Sequence, residues 1–231
     1  QLLGLNPYLS LLVSMPLLYF VGMVLQRLFV RRVVDAPELS SLLLTFGISI
    51  ALVNVAQLAF TADLRSVEYL TGSFVWGPFA FSKSRVVACA FAILITTGAF
   101  LFLQKTRLGK AVRAVSQSRE VAQVCGIDVG RVHMIAFGIG SALAAAGGTL
   151  VAVMVAIQPE MGQVYTFKSF LVIVLGGAGN YPGALLGGLL LGLIEQVSSL
   201  FLTTQVNEAV AYVLLVLVLL VRPTGLLKGR T

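Results

Sequence analysis

The residues of this chain best suited to chemistry lie in a hydrophilic segment, residues 104–131, with an apolar run on each side. Its cations suit recognition of a partner. The residue patterns that catalysis needs are missing from the sequence. Cys89 lies in an apolar run and Cys125 in the hydrophilic segment, so with a single histidine they form no zinc-binding pattern. The sequence also lacks the His-Glu-x-x-His, Gly-x-Ser-x-Gly and Gly-x-x-x-x-Gly-Lys-Ser/Thr patterns. It therefore predicts no enzyme and no metal or nucleotide site. The six cations of the segment are Lys105, Arg107, Lys110, Arg113, Arg119 and Arg131.

A short helix is predicted inside this segment, from Ser118 to Cys125, about two turns long. Ser118 is a suitable N-cap, Glu120 lies in the first turn, where the helix dipole favours an acid, and Gly126 is placed for a left-handed stop. Asp128 is placed to cap the apolar helix that follows.

This predicted helix has one apolar face. Val121, Val124 and Cys125 stand at positions i, i+3 and i+4, and Ala122 lies at the edge of the face. A helix this short is unstable alone in water. It therefore needs a surface to pack on, which the chain's own helices, the bilayer or another protein could provide.

The rest of the chain has the composition of a membrane protein. The chain as a whole is 58% hydrophobic and 11% charged, with a mean hydropathy of +0.98. Since a helix needs roughly 20 apolar residues to cross a bilayer, we expect an all-α bundle of about seven transmembrane segments. The net charge of +7 does not indicate nucleic-acid binding, because the cations lie in short loops beside apolar runs. The predicted segments are residues 7–26, 41–60, 85–103, 132–157, 166–178, 184–202 and 208–221.

The cations divide unequally between the two sides that these segments define. Twelve fall on one side and four on the other, so the side with twelve should be cytoplasmic. The C-terminus is then inside and Gln1 outside. Because the chain begins with Gln1 and no signal-peptide pattern precedes the first segment, we expect one further span upstream.

Three of the polar side chains within the predicted membrane segments are candidates for a functional role. Asn54 and Gln57 share one face of the second segment, and Glu195 lies in the sixth. Charged groups at membrane depth are costly and usually functional. All three could line a substrate path. The alternative is a structural role, in which Asn54 and Gln57 make hydrogen bonds between helices.

Glycines mark the second half of the chain. The string of residues 176–183, with Gly176, Gly177 and Gly179, is either a tight turn between two spans or the break of one discontinuous helix. Helix ends at such a break could present backbone donors to a substrate carboxylate. Glycines four residues apart also allow helices to cross closely. They occur as two pairs, Gly183 with Gly187 and Gly188 with Gly192.

The predicted short helix carries a recognisable pattern. Glu120-Val-Ala-x-x-x-Gly126 resembles the Glu-Ala-Ala-x-x-x-Gly loop of ABC importer permeases, with Val121 where that motif has alanine. An Ala/Gly-rich span, then VLGGAGNYPGALLGGLLLGLIE, then VRPTGL follow it. That order is similar to the permeases of branched-chain amino acid ABC importers, from about Arg27 onward.

The resemblance implies a single permease domain over residues 1–231 of the bacterial inner membrane, importing branched-chain or related amino acids. Its partners would be a second permease, identical or related, two cytoplasmic ATPases that bind ATP and magnesium, and a periplasmic or lipid-anchored solute-binding protein. Residues 104–131 would be the cytoplasmic loop whose helix seats in an ATPase groove. The interface residues would be Arg113, Arg119, Glu120, Val121, Ala122, Val124, Cys125 and Gly126.

Two other functions fit the sequence. One is an ABC permease for urea, amides or another small solute. The other is a self-sufficient secondary transporter, which would be expected to carry several acids within the membrane, whereas Glu195 is the one acid well inside a predicted segment.

Overall fold

The computed structural model describes most of the 231-residue chain. The described residues are 9–33, 37–60, 63, 72–76, 79–177, 179–203 and scattered positions between 206 and 220.

Within these ranges the chain is almost entirely helical. A 3-10 turn, Val30–Arg32, follows the first helix, and an antiparallel hairpin of β1 (Ser73–Trp76) and β2 (Phe79–Ser82) precedes the third, with Ser73 paired to Ser82 and Trp76 to Phe79. The hairpin was not predicted. The helices are α1 (Ser10–Leu28), α2 (Glu38–Phe60), α3 (Lys83–Lys105), α4 (Arg107–Gln117), α5 (Arg119–Val124), α6 (Val129–Ala152), α7 (Met161–Gly176) and α8 (Tyr181–Ser198).

Four of the described helical stretches are long and apolar enough to cross a membrane, and they match the first four predicted segments. They are Ser10–Arg32, Leu39–Phe60, Lys83–Lys105 and Val129–Ala152. The fifth and sixth predicted segments are the arms of one bent pair, α7 and α8, which meet at 120° and together count as at most one further span. The all-α polytopic class is confirmed. The count of about seven is not confirmed, and segment 208–221 lies largely outside the described residues.

The chain divides into two compact units, Gln1–Pro159 and Glu160–Thr231. That residues 1–231 form one permease domain stays a prediction. In the first unit α1 packs against α6 through small residues. A Cβ on Gly22 would overlap Ser141, and one on Gly138 would lie 2.9 Å from both Tyr19 Cε2 and Met23 Cγ. Apolar side chains close the rest of this seam, with α3 contributing one of them: Leu11, Ala88, Ala146 and Leu150.

In the second unit α7 and α8 cross at glycines. A Cβ on Gly176 would overlap the backbone of Gly183, and a Cβ on Gly183 would overlap the carbonyl oxygen of Gly176. One turn further along α8, a Cβ on Gly187 would lie 2.9 Å from the carbonyl oxygen of Val172. Because lipid gives apolar helices little reason to associate, such close backbone contact is what holds two helices together in a membrane. Leu171, Leu175 and Leu191 fill the space beside the crossing.

Candidate functional site

The hydrophilic segment 104–131 folds into two helices, of which the first, α4, was not predicted. Thr106 separates α4 from α3: its hydroxyl donates to the carbonyl oxygen of Phe102 at 2.7 Å and accepts from the backbone N–H of Gly109 at 3.0 Å. Gly109 is buried against the backbone of Leu103, which a Cβ would overlap. This tight turn ends α3 and keeps α4 in contact with both α3 and α6.

The second helix, α5, lies where the sequence predicts one. Ser118 precedes it and accepts a hydrogen bond from the N–H of Val121 at 3.3 Å. Gly126 follows it with φ of +78°, the left-handed conformation that ends helices at glycine. Asp128 then caps α6 by accepting from the N–H of Arg131 at 3.1 Å, and its carboxylate also pairs with Arg131 Nε at 2.9 Å.

The side chains of α5 point in two directions. Ala122 is 3% exposed and packs with Val115 of α4 and Val132 of α6. Val121 is 63% exposed and Val124 is 89% exposed, and Cys125 just beyond the helix is also exposed. Ala122 therefore anchors α5 to the chain, and the predicted apolar face is directed outward.

The predicted polar residues around this face have different surroundings. Arg113 Nη2 donates to the carbonyl oxygen of Gln104 at 3.5 Å, back towards the end of α3. Glu120 is exposed. Arg119 lines a cavity between α5 and the ends of α1 and α6.

The residues predicted to line a path lie in both units. On α2, Asn54 Nδ2 donates to the carbonyl oxygen of Ile50 at 2.8 Å, so its amide is held by its own helix, and Gln57 is partly buried. In the second unit Gly176 and Gly177 are buried at the α7–α8 break, and Gly179 is exposed. Gly177 and Gly179 have φ of +82° and +81°, which only glycine adopts without strain.

Glu195 has a partner that the sequence analysis missed. Lys168 Nζ donates to Glu195 Oε2 at 3.1 Å and lies 3.0 Å from Oε1, which joins α7 to α8. Both side chains are partly buried. The only sequence signal was that two opposite charges fall inside apolar runs. The two residues are 27 positions apart in the sequence, too far for a single helix to bring them together. Their pairing therefore depends on the bend between α7 and α8.

Comparison with known proteins identifies the family. The family model described as branched-chain amino acid transport system, permease component, matches residues 1–219. The chain belongs to this family. Membership, together with its apolar helices, makes it a multi-pass protein of the inner membrane and a transport subunit that works with the other components of an ABC system.

Individual relatives agree with the family. The chain is 36% identical to the high-affinity branched-chain amino acid transport system permease protein LivH of Escherichia coli (strain K12) over 213 residues, 89% of this chain and 69% of LivH. It is 34% identical to BraD of Pseudomonas aeruginosa over the same shares. The ribose import permease protein RbsC of Escherichia coli (strain K12) is 29% identical over 138 residues, 54% of this chain and 42% of RbsC. No solved structure matches the chain.

In this permease the ion pair between Lys168 of α7 and Glu195 of α8 should contribute more to stability than a surface ion pair does. We expect Glu195→Leu to leave the Lys168 ammonium without its partner in an apolar helix pair and to cost about 2 kcal/mol of stability. This is below the roughly 3–5 kcal/mol typical of breaking a fully buried pair, because both side chains are partly exposed. Thermal unfolding of the purified permease in detergent would measure the loss.

The double variant, Lys168→Leu with Glu195→Leu, separates two roles. It should recover the stability lost in Glu195→Leu, since no charge is then stranded. If uptake returns with stability, the pair is structural only. If stability returns without uptake, the charges act in transport. A Glu195→Leu permease as stable as the native one would contradict the pairing.

Proposed function

We propose that the chain is the membrane subunit of an ATP-driven importer of branched-chain amino acids and that α5 is the helix through which an ATPase drives it. The outward apolar face of α5 carries this proposal. Exposed valines on a helix that cannot be stable alone indicate a protein partner, and burying each would contribute about 1.5 kcal/mol or more to binding.

The way α5 is attached supports a coupling role. Ala122, Val115 and Val132 form one buried cluster, so α5 and the start of α6 are packed together. A partner that pulls on Val121 and Val124 would therefore shift the N-terminal end of α6 and not merely bend a loose loop. Since α6 also packs along α1, this movement would reach the membrane part of the chain.

We also propose the partners that an ATP-driven importer needs. They are two cytoplasmic ATPases that bind ATP and magnesium, a second permease, identical or related, and a periplasmic or lipid-anchored solute-binding protein. Helices α4 and α5 and the C-terminus would face the cytoplasm, as the distribution of cations predicts. The names of LivH and BraD support branched-chain amino acids as substrates.

We further propose that the path involves the residues predicted for it: Asn54, Gln57, Gly176, Gly177, Gly179 and Glu195. The Lys168–Glu195 pair suits a zwitterion, because a carboxylate beside an ammonium can exchange partners with the two charged groups of an amino acid. The apolar helices around the break would accept an aliphatic side chain.

Reconstitution tests this function. Proteoliposomes holding the permease with its ATPases and second permease should take up labelled leucine only when ATP and the binding protein are added. Labelled ribose is the second substrate to try, because RbsC matches half of the chain. Leucine uptake driven by an ion gradient, with the permease as the only protein present, would contradict the proposal and favour a secondary transporter.

A further inference from the structure

A cavity of about 650 Å³ lies in the first unit, between the C-terminal end of α1, the short helix α5 and the N-terminal end of α6. It is separate from the outward apolar face of α5. Both long helices are candidate membrane spans, so the cavity stands at the level where a span leaves the bilayer. The lining residues used below are Gln26, Arg27, Arg31, Arg119, Asp128, Arg131 and His133.

The described lining residues carry more positive than negative charge. Among them four are arginines and one, Asp128, is an acid, and Arg119 makes an interaction of its own. Asp128 already caps α6 and pairs with Arg131, so it does not neutralise the arginines contributed by α1 and the turn after it. Guanidinium groups bind phosphate oxygens through paired hydrogen bonds. The charge therefore favours an oxyanion.

Two buried polar atoms in the lining point to a ligand as well. Gln26 is 5% exposed, the buried polar side chain of α1, and its Oε1 has no hydrogen-bond partner among the described residues. Nε2 of His133, on the facing helix α6, is likewise buried and without a partner in the described part of the chain. Native proteins rarely leave such groups unsatisfied. An amide oxygen needs a donor, which an oxyanion alone does not supply but a hydroxyl does.

We propose that this cavity binds a phosphate-bearing anion that also carries hydroxyl groups, and that the phosphatidylglycerol headgroup in the adjoining leaflet is the form that fills it. Its phosphodiester would lie against Arg27 and Arg31, and a glycerol hydroxyl would donate to Gln26 Oε1. Basic pockets between transmembrane helices bind anionic headgroups in this way. A soluble glycerol phosphate has the same chemistry. The proposal stands whether or not the chain transports amino acids.

Native mass spectrometry of the permease released from lipid nanodiscs tests the site. In nanodiscs of phosphatidylcholine with phosphatidylglycerol, the native chain should retain phosphatidylglycerol selectively. Arg31→Gln should lower that retention about fivefold, the effect expected for one arginine near a headgroup. The matched control is Arg32→Gln, because Arg32 is its exposed neighbour in the same turn but does not line the cavity. This control should retain the lipid as the native chain does.

Further experiments show whether the ligand is a lipid headgroup or a soluble phosphate, and check that each variant is folded. In phosphatidylcholine-only nanodiscs, glycerol 3-phosphate binding that depends on Arg31 and not on Arg32 would support the same site with a soluble ligand. Gln26→Leu, which keeps every cation, should reduce retention of phosphatidylglycerol but not of phosphatidic acid, which lacks the glycerol hydroxyls. Equal loss in the Arg31 and Arg32 variants would mean a general basic surface and would overturn the proposal. So would the absence of selective binding by either probe. Circular dichroism of each variant would show that its helices are intact.

Discussion

A Val124→Asp permease should enter the membrane at its normal level, yet lose its ATPases on purification and lose ATP-driven uptake. Val124 is 89% exposed, so the chain itself gains little from the side chain, and substitution should change the stability of the permease by less than about 0.5 kcal/mol. An apolar groove that receives this position would instead have to bury a carboxylate. Loss of a central interface contact costs about 2 kcal/mol or more, a thirtyfold weakening of binding, and the added charge increases that cost.

Two variants isolate this effect. Val155→Asp makes the same change at another exposed valine, in the segment after α6, and should leave ATPase retention and uptake unchanged. Ala122→Asp places the charge in the buried cluster of α4, α5 and α6 and should lower the amount of folded permease. If Val124→Asp retained ATPases and uptake as well as Val155→Asp does, the docking role of α5 would be wrong.

A single methyl group at the α7–α8 crossing should be the most damaging small change in the second unit. In Gly183→Ala the new Cβ would overlap the carbonyl oxygen of Gly176, and backbone cannot rotate away as a side chain can. We expect the helices to separate at the break, with a loss of about 3 kcal/mol, the upper end of the range for overpacked cores. Uptake should fall with the folded fraction.

Gly192→Ala is the matched control, since it makes the same change on the same helix in the second of the two glycine pairs. No described atom lies within 4 Å of the added Cβ, and alanine favours helix over glycine by about 1 kcal/mol. This variant should therefore be as stable as the native chain or slightly more stable. Thermal unfolding of both variants in detergent measures the difference. Equal stability would show that α7 and α8 do not cross at Gly183.

What could be predicted from the sequence was what local rules determine. Ser118, Glu120 and Gly126 are start and stop signals within a few residues of one another, and a helix lies between them. Long apolar runs indicated the first four membrane helices, and the pattern from Glu120 to Gly126 with the sequences after it indicated the family. The pair Gly183 and Gly187 lies where α7 and α8 cross, whereas Gly192 of the second pair does not. The sequence alone could not distinguish the two pairs. The two patterns are identical, and only the position of α7 separates them.

What could not be predicted depends on contacts between distant residues. Hydropathy measures the length of an apolar run and not its direction, so α7 and α8 were counted as two spans. The pairing of Lys168 with Glu195 follows from the same bend. In segment 104–131 the cations hid α4, whose apolar positions Ala111, Val112 and Val115 pack towards Val132 of α6.

The thiol of Cys125 gives the most direct test of the central claim, that this permease is driven by an ATPase seated on α5. Cys125 is exposed beside Val121 and Val124, and a soluble maleimide applied to the side that bears α5 should label it rapidly in the permease alone. Assembly with the ATPases should protect Cys125, while a thiol introduced by Lys105→Cys in a Cys125→Ser background, exposed at the same end of the membrane helices, should keep the same labelling rate with and without them. Equal labelling of Cys125 in the free permease and in the ATP-hydrolysing complex would contradict the account.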